Sequence, residues 1–396
     1  QEQVYSIFGG NVSYINNRDM CVDIVYHGEE YTESEFDGSV IVYPHHVSSL
    51  QSYAMHQAIN NKSINEKTGK ETGNAFLLSQ LESSNIVYPI DNSYKVGTKA
   101  EKQYVISDGE WFKFSQQFVD FLKGDILDIE SSRLISNGRT GNEQNSIYRH
   151  ESVPVRSYWN LYAIAAKWAN VVHMITTSPN NSFVSCRFVE ASGCISFCLA
   201  LEMFGGMKRF THRGSIYAQG DTSNKNASPC ASQSDEGKTL QTSLLQTEYG
   251  KIVYKYGVYT GTTKTDLRSI LEAMAHESNL DGRLIKTFVT SRVGRDGINV
   301  ENCLDVHLLT PEFNAAAEYQ SISRVHRTTS YVKLLAKAKR DLIQYRNQLA
   351  LEGRTEELSR LYTPENLRLK LNVYRHATFY TPPGSLAPIS HDAHVY

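Results

Sequence analysis

No pair of cysteines in this chain of 396 residues is spaced C-x-x-C, although there are six of them. Cys21, Cys186, Cys194, Cys198, Cys230 and Cys303 sit mostly in apolar runs, where a small thiol packs as a hydrophobe, so no disulfide framework is expected and a reducing compartment is inferred. Cys194 and Cys198 would share a helix face but lack partner ligands at zinc spacing, so core packing is expected there and no metal site. No apolar run approaches the roughly 18 to 20 residues that span a bilayer, and no membrane partner is expected. The N-terminus "QEQVYSIFGG" has neither an initiator Met nor the architecture of a signal peptide, and reads as the start of a piece cut from a longer chain. Net charge is nearly absent as well: 40 Lys and Arg against 42 Asp and Glu leave a formal charge of -2. Bulk electrostatics therefore point to no polyanion, and nucleic-acid contact must come from local clusters. What remains, 40% hydrophobic and 21% charged residues, is the composition of a globular protein with room for two or three domains.

Four textures follow one another along the chain. Residues 1–60 alternate apolar and polar positions in "GGNVSYI", "CVDIVYH" and "SVIVYP", which predicts short strands leading into a helix from Ser48 to Asn60, a connector that packs on a neighbour. Residues 61–154 hold polar loops, "NNKSINEKTGKETGN" and "SSRLISNGRTGNEQNS", around a helical segment near "WFKFSQQFVDFL". Residues 155–335 read as α/β: helix "YWNLYAIAAKWANVVHMI", strand "NNSFVSCRF", helix "SGCISFCLALEMFGG" closed by Gly205 and Gly206, strand "GKIVYKYGVYTG", helix "TKTDLRSILEAMAHES", strands "LIKTFVTS" and "LDVHLLTP", and a helix opening near "NAAAEYQ". Within them 211–249, rich in Ser, Thr, Asn and Gln, reads as a surface insertion. Residues 336–396 read as a solvated charged helix and a loose, truncated tail broken by "YTPPGSLAP". Strands alternating with helices imply a parallel sheet with functional loops at the strands' carboxyl ends.

Two stretches carry candidate chemistry. "SRVGRDGINV" sets Gly294 and Gly297 around Arg295 and Asp296, a composition that lets backbone approach a phosphate, with Ser291 and Arg292 adding a hydroxyl and a cation. "QSISRVHR" places Gln320, Arg324 and Arg327 in one polar stripe on a helix start, and for such a stripe in isolation a solvated face with surface ion pairs is the favoured explanation. His326 reads as a packing residue rather than an acid or base, and the pair His45, His46 as a polar approach to a helix.

Order and spacing add a resemblance. "TSRVGRDGINVENCLDVHLLTPEFNAAAEYQSISRVHR" resembles motifs five and six of superfamily two helicases and Swi/Snf-type ATPases, the latter motif running Q-x-x-G-R-x-x-R with Ser323 here in place of its glycine. "NSFVSCRFVEASG" looks like motif four, and "GVYTG" like the strand and turn that precede motif five. The likeness covers 155–335 and extends, through "VSCRFVEASG" and "FGGNVSYI", to the helicase-like transcription ATPases of large DNA viruses, the poxvirus nucleoside triphosphatase and early transcription factor type. It implies an α/β fold, the RecA-like parallel sheet flanked by helices of the P-loop NTPases, forming a second helicase lobe behind an N-terminal connector and insertion region.

The resemblance also implies roles. Arg324 and Arg327 would be arginine fingers on the γ-phosphate of ATP, Gln320 would sense the nucleotide, and Gly297 and Asn299 would lie near its ribose. Ser185, Arg187, Gly261, Thr290, Ser291 and Arg292 would grip nucleic acid, DNA or RNA, through its phosphates. ATP and Mg2+ would be held mainly by a first lobe of the same parent chain, because neither G-x-x-x-x-G-K-[ST] nor D-E-x-[DH] occurs; "KTGKETG" has Glu71 after Lys70 and reads as a loop. The implied setting is viral, in host cytoplasm or virion, with a viral RNA polymerase as a partner. Two rivals stand beside this reading: a catalytically inactive helicase-like interaction module of a transcription complex, and a doubly wound methyltransferase, which lacks the glycine-rich first turn and following acidic residue.

Overall fold

The computed structural model describes residues 21–32, 39–60, 75–90, 93–95, 103–107, 111–123, 155–211, 253–263, 267–295, 298–312, 315–361, 363–364, 366–382, 385 and 388–396. Strand β1 (Val22–His27) leads through Gly28 into a hairpin of β2 (Glu29–Thr32) and β3 (Ser39–His46), followed by helix α1 (Ser49–Asn60), one residue inside its expected start. Helix α2 (Ala75–Asn85) comes next, then two small hairpins, β4 (Tyr88–Ile90) with β5 (Ser93–Lys95) and β6 (Val105–Ser107) with β7 (Phe112–Phe114), and helix α3 (Gln116–Lys123). The segment expected as a helix near "WFKFSQQFVDFL" thus begins as a strand. Ser115 divides the two, its Oγ accepting from Phe118 N at 3.3 Å, as a helix N-cap does.

Helix α4 (Val155–Thr177) is broken at Ala165, whose backbone leaves the helical region (φ -154, ψ 61). Groups from outside fill the gap in its ladder: Ser48 Oγ donates to Ala163 O (2.6 Å), Val87 N to Ile164 O (3.0 Å), and Ala166 N donates to Gln51 Oε1 (3.0 Å). Then follow β8 (Asn181–Ser185), α5 (Cys194–Met203), β9 (Lys208–Arg209), β10 (Lys255–Tyr259), α6 (Leu267–Ala275), β11 (Thr287–Thr290), β12 (Cys303–Leu308), α7 (Ala315–Ser323), α8 (Val332–Leu351), α9 (Thr355–Arg360), β13 (Leu369–Phe379) and α10 (His391–Val395). Gly206 carries the positive φ (+62) expected after α5. "GGNVSYI", the polar stretches 61–74 and 131–146, and the insertion at 211–249 beyond its first residue, Thr211, lie outside the described residues.

The fold is α/β, with a mostly parallel sheet flanked by helices. Its order is β2-β3-β13-β12-β8-β11-β10-β9, with β1 also on β13, and every pairing is parallel except β2 with β3. Strict alternation decides which helices lie on which face. Val184, Val289, Tyr256 and Val258 pack with α4 and α5, including Trp168, Phe197 and Leu201, whereas Phe183, Phe288 and Val306 pack with Ile270 and Met274 of α6 and Ile322 of α7. All residues of β8 and β11 are buried, as two-sided covering of a parallel sheet requires.

Two expectations are corrected at the ends. The first strands do not pack on a neighbour as a separate connector: β1 pairs with the first half of β13 and β3 with its last residues, inside the main sheet. The tail is not loose either, because β13 lies between β12 and β3 and α10 packs behind it. The expected outer helix α8 is largely exposed, and it docks through three ion pairs spaced along one side, Lys333 to Glu301 (3.5 Å), Lys337 to Asp281, and Arg340 to Glu277 (3.9 Å).

Gly28 makes the turn from β1 into the hairpin possible. Its φ is +133, and a Cβ there would stand 1.9 Å from Val42 O. Gly28→Ala is therefore expected to destabilise the chain by about 2 kcal/mol or more, read as a lower urea midpoint at unchanged slope.

Candidate functional site

The carboxyl ends of β8, β11 and β10, three neighbouring strands, bring together the six residues expected to grip a nucleic acid. Ser185 closes β8 and is buried, and its carbonyl accepts from Leu309 N (2.9 Å). Arg187 N donates to Thr310 Oγ1 (2.6 Å), which ties the loop after β8 to the loop after β12. Thr290 closes β11, and its buried hydroxyl is committed to Tyr259 O (3.0 Å) on β10. Ser291 N also reaches Tyr259 O (3.3 Å), while its Oγ is buried with no hydrogen-bond partner among the described residues. Gly294 has to be glycine here, since a Cβ would lie 1.9 Å from Thr290 Oγ1. Gly261 is exposed in the turn after β10, a turn closed by Thr263 Oγ1 accepting from Thr260 N (2.9 Å).

One cation of this edge is already paired. Arg292, about half exposed, bonds the buried Glu312 through Nη2 to Oε2 at 3.2 Å. Any phosphate taken by Arg292 must compete with that carboxylate.

A second cluster forms at the opposite end of β12. Val300 N donates to Arg324 O (2.9 Å), Asn302 N to Ser330 O (3.0 Å), and Ser330 Oγ to Asn299 Oδ1 (3.1 Å). These bonds clamp the stretch before β12 onto the stretch after α7, so Asn299, Arg324 and Arg327 share one neighbourhood. Gly297 lies outside the described residues.

Gln320, Arg324 and Arg327 do not share a helix face, which corrects that expectation. Helix α7 ends at Ser323, with Gln320 exposed in its last turn, Arg324 in the following turn and Arg327 extended (φ -129, ψ 151) at the head of a 3-10 turn, Thr328–Tyr331. Local side-chain bonds stop the helix: Ser323 Oγ donates to Gln320 O (2.8 Å) and Arg327 Nε to Ser323 O (3.2 Å). Arg327 is half-buried and has no carboxylate at ion-pair distance among the described residues. His326 is half-buried and bonds to the backbone at Val22; burial holds its imidazole below the ordinary range, which fits a packing residue.

Sequence reading missed the anchor of this cluster. Arg375 of β13 donates through Nε (2.9 Å) and Nη2 (2.8 Å) to Glu318 Oε1 on α7, and stacks over Tyr26 at 4.3 Å. It also misplaced His45, which is buried at 1% exposure at the end of β3 rather than lying on a polar approach to α1. Neither residue signals its role locally, because Arg375 meets Glu318 across 57 positions and His45 meets Asn170 and His376 across 125 and 331.

Comparison with known proteins bears on the segment holding most of these residues. Residues 222–329 match the family model of the helicase conserved C-terminal domain. The helicase-matching segment is about a quarter of the chain and contains Gly261, Thr290, Ser291, Arg292, Asn299, Gln320, Arg324 and Arg327, while Ser185 and Arg187 precede it. Over 177 residues the chain is 25% identical to "Putative helicase 087L" of Invertebrate iridescent virus 3, covering 43% of this chain and 15% of that protein. It is 24% identical over 178 residues to "Putative helicase 009L" of Frog virus 3 (isolate Goorha), covering 45% of this chain and 15% of that protein. The matched part thus spans a small fraction of those relatives. A solved structure, the C-terminal part of the Fun30 ATPase domain, is 13% identical and covers 73% of this chain and 81% of its own, at a TM-score of 0.30, too low to carry weight. No described helix is long and apolar enough to cross a membrane.

Proposed function

We propose that this chain contributes the second lobe of an ATP-dependent nucleic-acid translocase or helicase. The observation that carries this reading is the clamp between Asn299–Asn302 and Arg324–Ser330, set apart by the length of β12 from the Ser185, Thr290 and Arg292 edge. Two chemically different surfaces, one for a nucleotide and one for a strand, are what a motor of this kind requires. Arg327 fits the first: its guanidinium is oriented by the Nε bond to Ser323 O and has no ion pair among the described residues. A planar, permanently charged fork matches phosphate oxygens where lysine would present only a point charge.

ATP and Mg2+ would be held by a first lobe of the same parent protein, across from Arg324 and Arg327. Closure of the lobes would bring both guanidiniums to the γ-phosphate, with Gln320 and Asn299 beside the nucleotide, and opening would shift the grip of Arg187, Gly261, Ser291 and Arg292 along the strand. The likeness to putative iridovirus helicases favours an origin in a large DNA virus, and a viral RNA polymerase fits as a partner in transcription or replication. The Arg292–Glu312 pair favours a second reading, a helicase-like module that binds transcription proteins without turning over ATP, because it neutralises one cation of the grip.

The deciding experiment is ATP hydrolysis by the complete parent protein with and without single-stranded DNA. Stimulated turnover supports the motor, and absence of turnover in both conditions leaves the binding module. In the motor, Arg292→Ala is expected to weaken strand binding at all sequences alike and to reduce the slope of log affinity against log salt by about 0.7 to 0.9, the loss of one phosphate contact.

A further inference from the structure

Three buried imidazoles form a line across three adjacent strands, and the proposed activity uses none of them. His45 on β3, His376 on β13 and His307 on β12 are each at most 1% exposed. Asn170 Nδ2 of α4 lies 2.9 Å from His45 Nδ1, His45 Nε2 is 2.8 Å from His376 Nδ1, and His376 Nε2 is 2.9 Å from His307 Nδ1. His307 Nε2 ends the line with no partner among the described residues.

Each nitrogen-to-nitrogen contact requires one N–H and one bare lone pair, and a neutral imidazole has one of each. With the Asn170 amide donating, all three rings carry their proton on Nε2; with its carbonyl turned to accept, all three carry it on Nδ1. Every contact within the line is satisfied in either direction while the rings are neutral. One extra proton can enter at His307 Nε2 in the second arrangement. A further one sets two N–H groups face to face and breaks the line.

The surroundings oppose that charge. Lys167 of α4, fully buried and paired with Asp392 of α10 at 2.9 Å, is a cation beside His45 and His376. Tyr43 of β3 and Tyr374 of β13 face the same space, His46 is exposed on the other face of β3, and Tyr374 stacks on His307 (5.0 Å) and on His27 of β1 (4.9 Å). Among the described residues Asp305 of β12 is the carboxylate favouring protonation of His307, and it already accepts from Ser178 Oγ, Asn180 Nδ2 and Asn372 Nδ2.

We propose that the Asn170–His45–His376–His307 line is an acid-sensitive latch. Neutral, it holds β3, β13 and β12 together against α4; protonated, it lets that seam open. Burial, then Lys167 and the neighbouring rings, hold His45 and His376 well below the ordinary 6.5, and burial brings His307 down to about 4 against the pull of Asp305. Because these folded-state values are depressed, the opened chain binds the additional protons. The latch therefore contributes fully above pH 6.5 and is lost as pH falls from there towards 4. Opening also reaches α7, since Arg375, between Tyr374 and His376, anchors Glu318.

Backbone hydrogen exchange on the chain at pH 7.5 and 5.5, corrected for intrinsic rates, tests the latch. Amides of residues 40–46 and 371–379 are expected to lose at least tenfold protection at the lower pH while α5 and β11 keep theirs. Uniform loss across the sheet, or none in the seam, would overturn it. The constant for opening the seam should rise about 25-fold per imidazole between pH 7 and 5, and His307→Asn should remove one such factor. An imidazole NMR titration of the unaltered chain covers the case in which that variant does not fold. Three rings that stay neutral until the seam opens support the latch, and three that titrate independently near pH 6.5 in the closed state refute it.

Discussion

In the proposed motor, Arg327→Ala is expected to lower the strand-stimulated ATP turnover of the complete parent protein about a thousandfold, equivalent to roughly 4 kcal/mol of transition-state stabilisation. The size follows from where the charge is needed. Negative charge on a transferring phosphoryl group develops in a closed, water-poor cleft, where an aimed cation is worth far more than in solvent. The bond from Arg327 Nε to Ser323 O aims the fork before any ligand arrives, so little side-chain entropy remains to be lost. Arg327→Lys keeps the charge without the fork and is expected to recover only a small part of the rate. Arg324→Ala should fall in the same range, and because its carbonyl bond to Val300 N is made by the backbone, that variant should keep the local fold. In both variants kcat should drop with KM for ATP little changed, as for an interaction made only in the transition state. A loss of less than about fivefold in both variants would remove the arginines from the mechanism.

Asp392→Ala is expected to destabilise the chain by about 3 to 5 kcal/mol. Both members of its ion pair with Lys167 are fully buried, and the carboxylate also accepts from Ser84 Oγ (2.9 Å) and Thr378 N (2.9 Å). Alanine would leave an ammonium and the Thr378 N–H facing a dry interior, while Ser84 Oγ keeps Leu81 O (2.8 Å) as an acceptor. Desolvation already lowers the Lys167 pKa, opposed by Asp392, and loss of Asp392 would lower it further. An amine with a depressed folded-state pKa binds fewer protons folded than unfolded, so the variant's deficit should shrink as pH rises towards 10.5. Lys167→Met combined with Asp392→Leu should restore most of the stability, because the pair's cost lies in isolating one charge rather than in lacking both. Urea unfolding at pH 7 and pH 9.5 measures each step. A change under about 1 kcal/mol for Asp392→Ala would mean that α10 contributes little to the fold.

The tail shows why one part of the fold was illegible in sequence. Leu369, Leu371, Val373, Ala377 and Phe379 alternate as a strand should, but Lys370, Asn372, Tyr374, His376 and Thr378 between them read as a face turned to water. His376 and Thr378 are in fact fully buried, satisfied by His45, His307, Ser84 and Asp392. A polar residue marks the surface only when no partner waits for it in the interior, and these partners lie on other elements, 14 to 331 positions away.

Local pattern by itself determined the alternation of β8, α5, β10, α6, β11, β12 and α7, their parallel sheet, and the order of the Thr290–Val300 and Gln320–Arg327 stretches, because periodicity and turn chemistry act over a few residues. Only the tertiary structure decided that β1 and β3 join that sheet through β13, that Arg292 is held by Glu312, and that three histidines line up in the core. Those outcomes depend on hydrogen bonds and ion pairs between groups far apart in the chain, whose free energy exists only once the sheet has brought them within about 3 Å of one another.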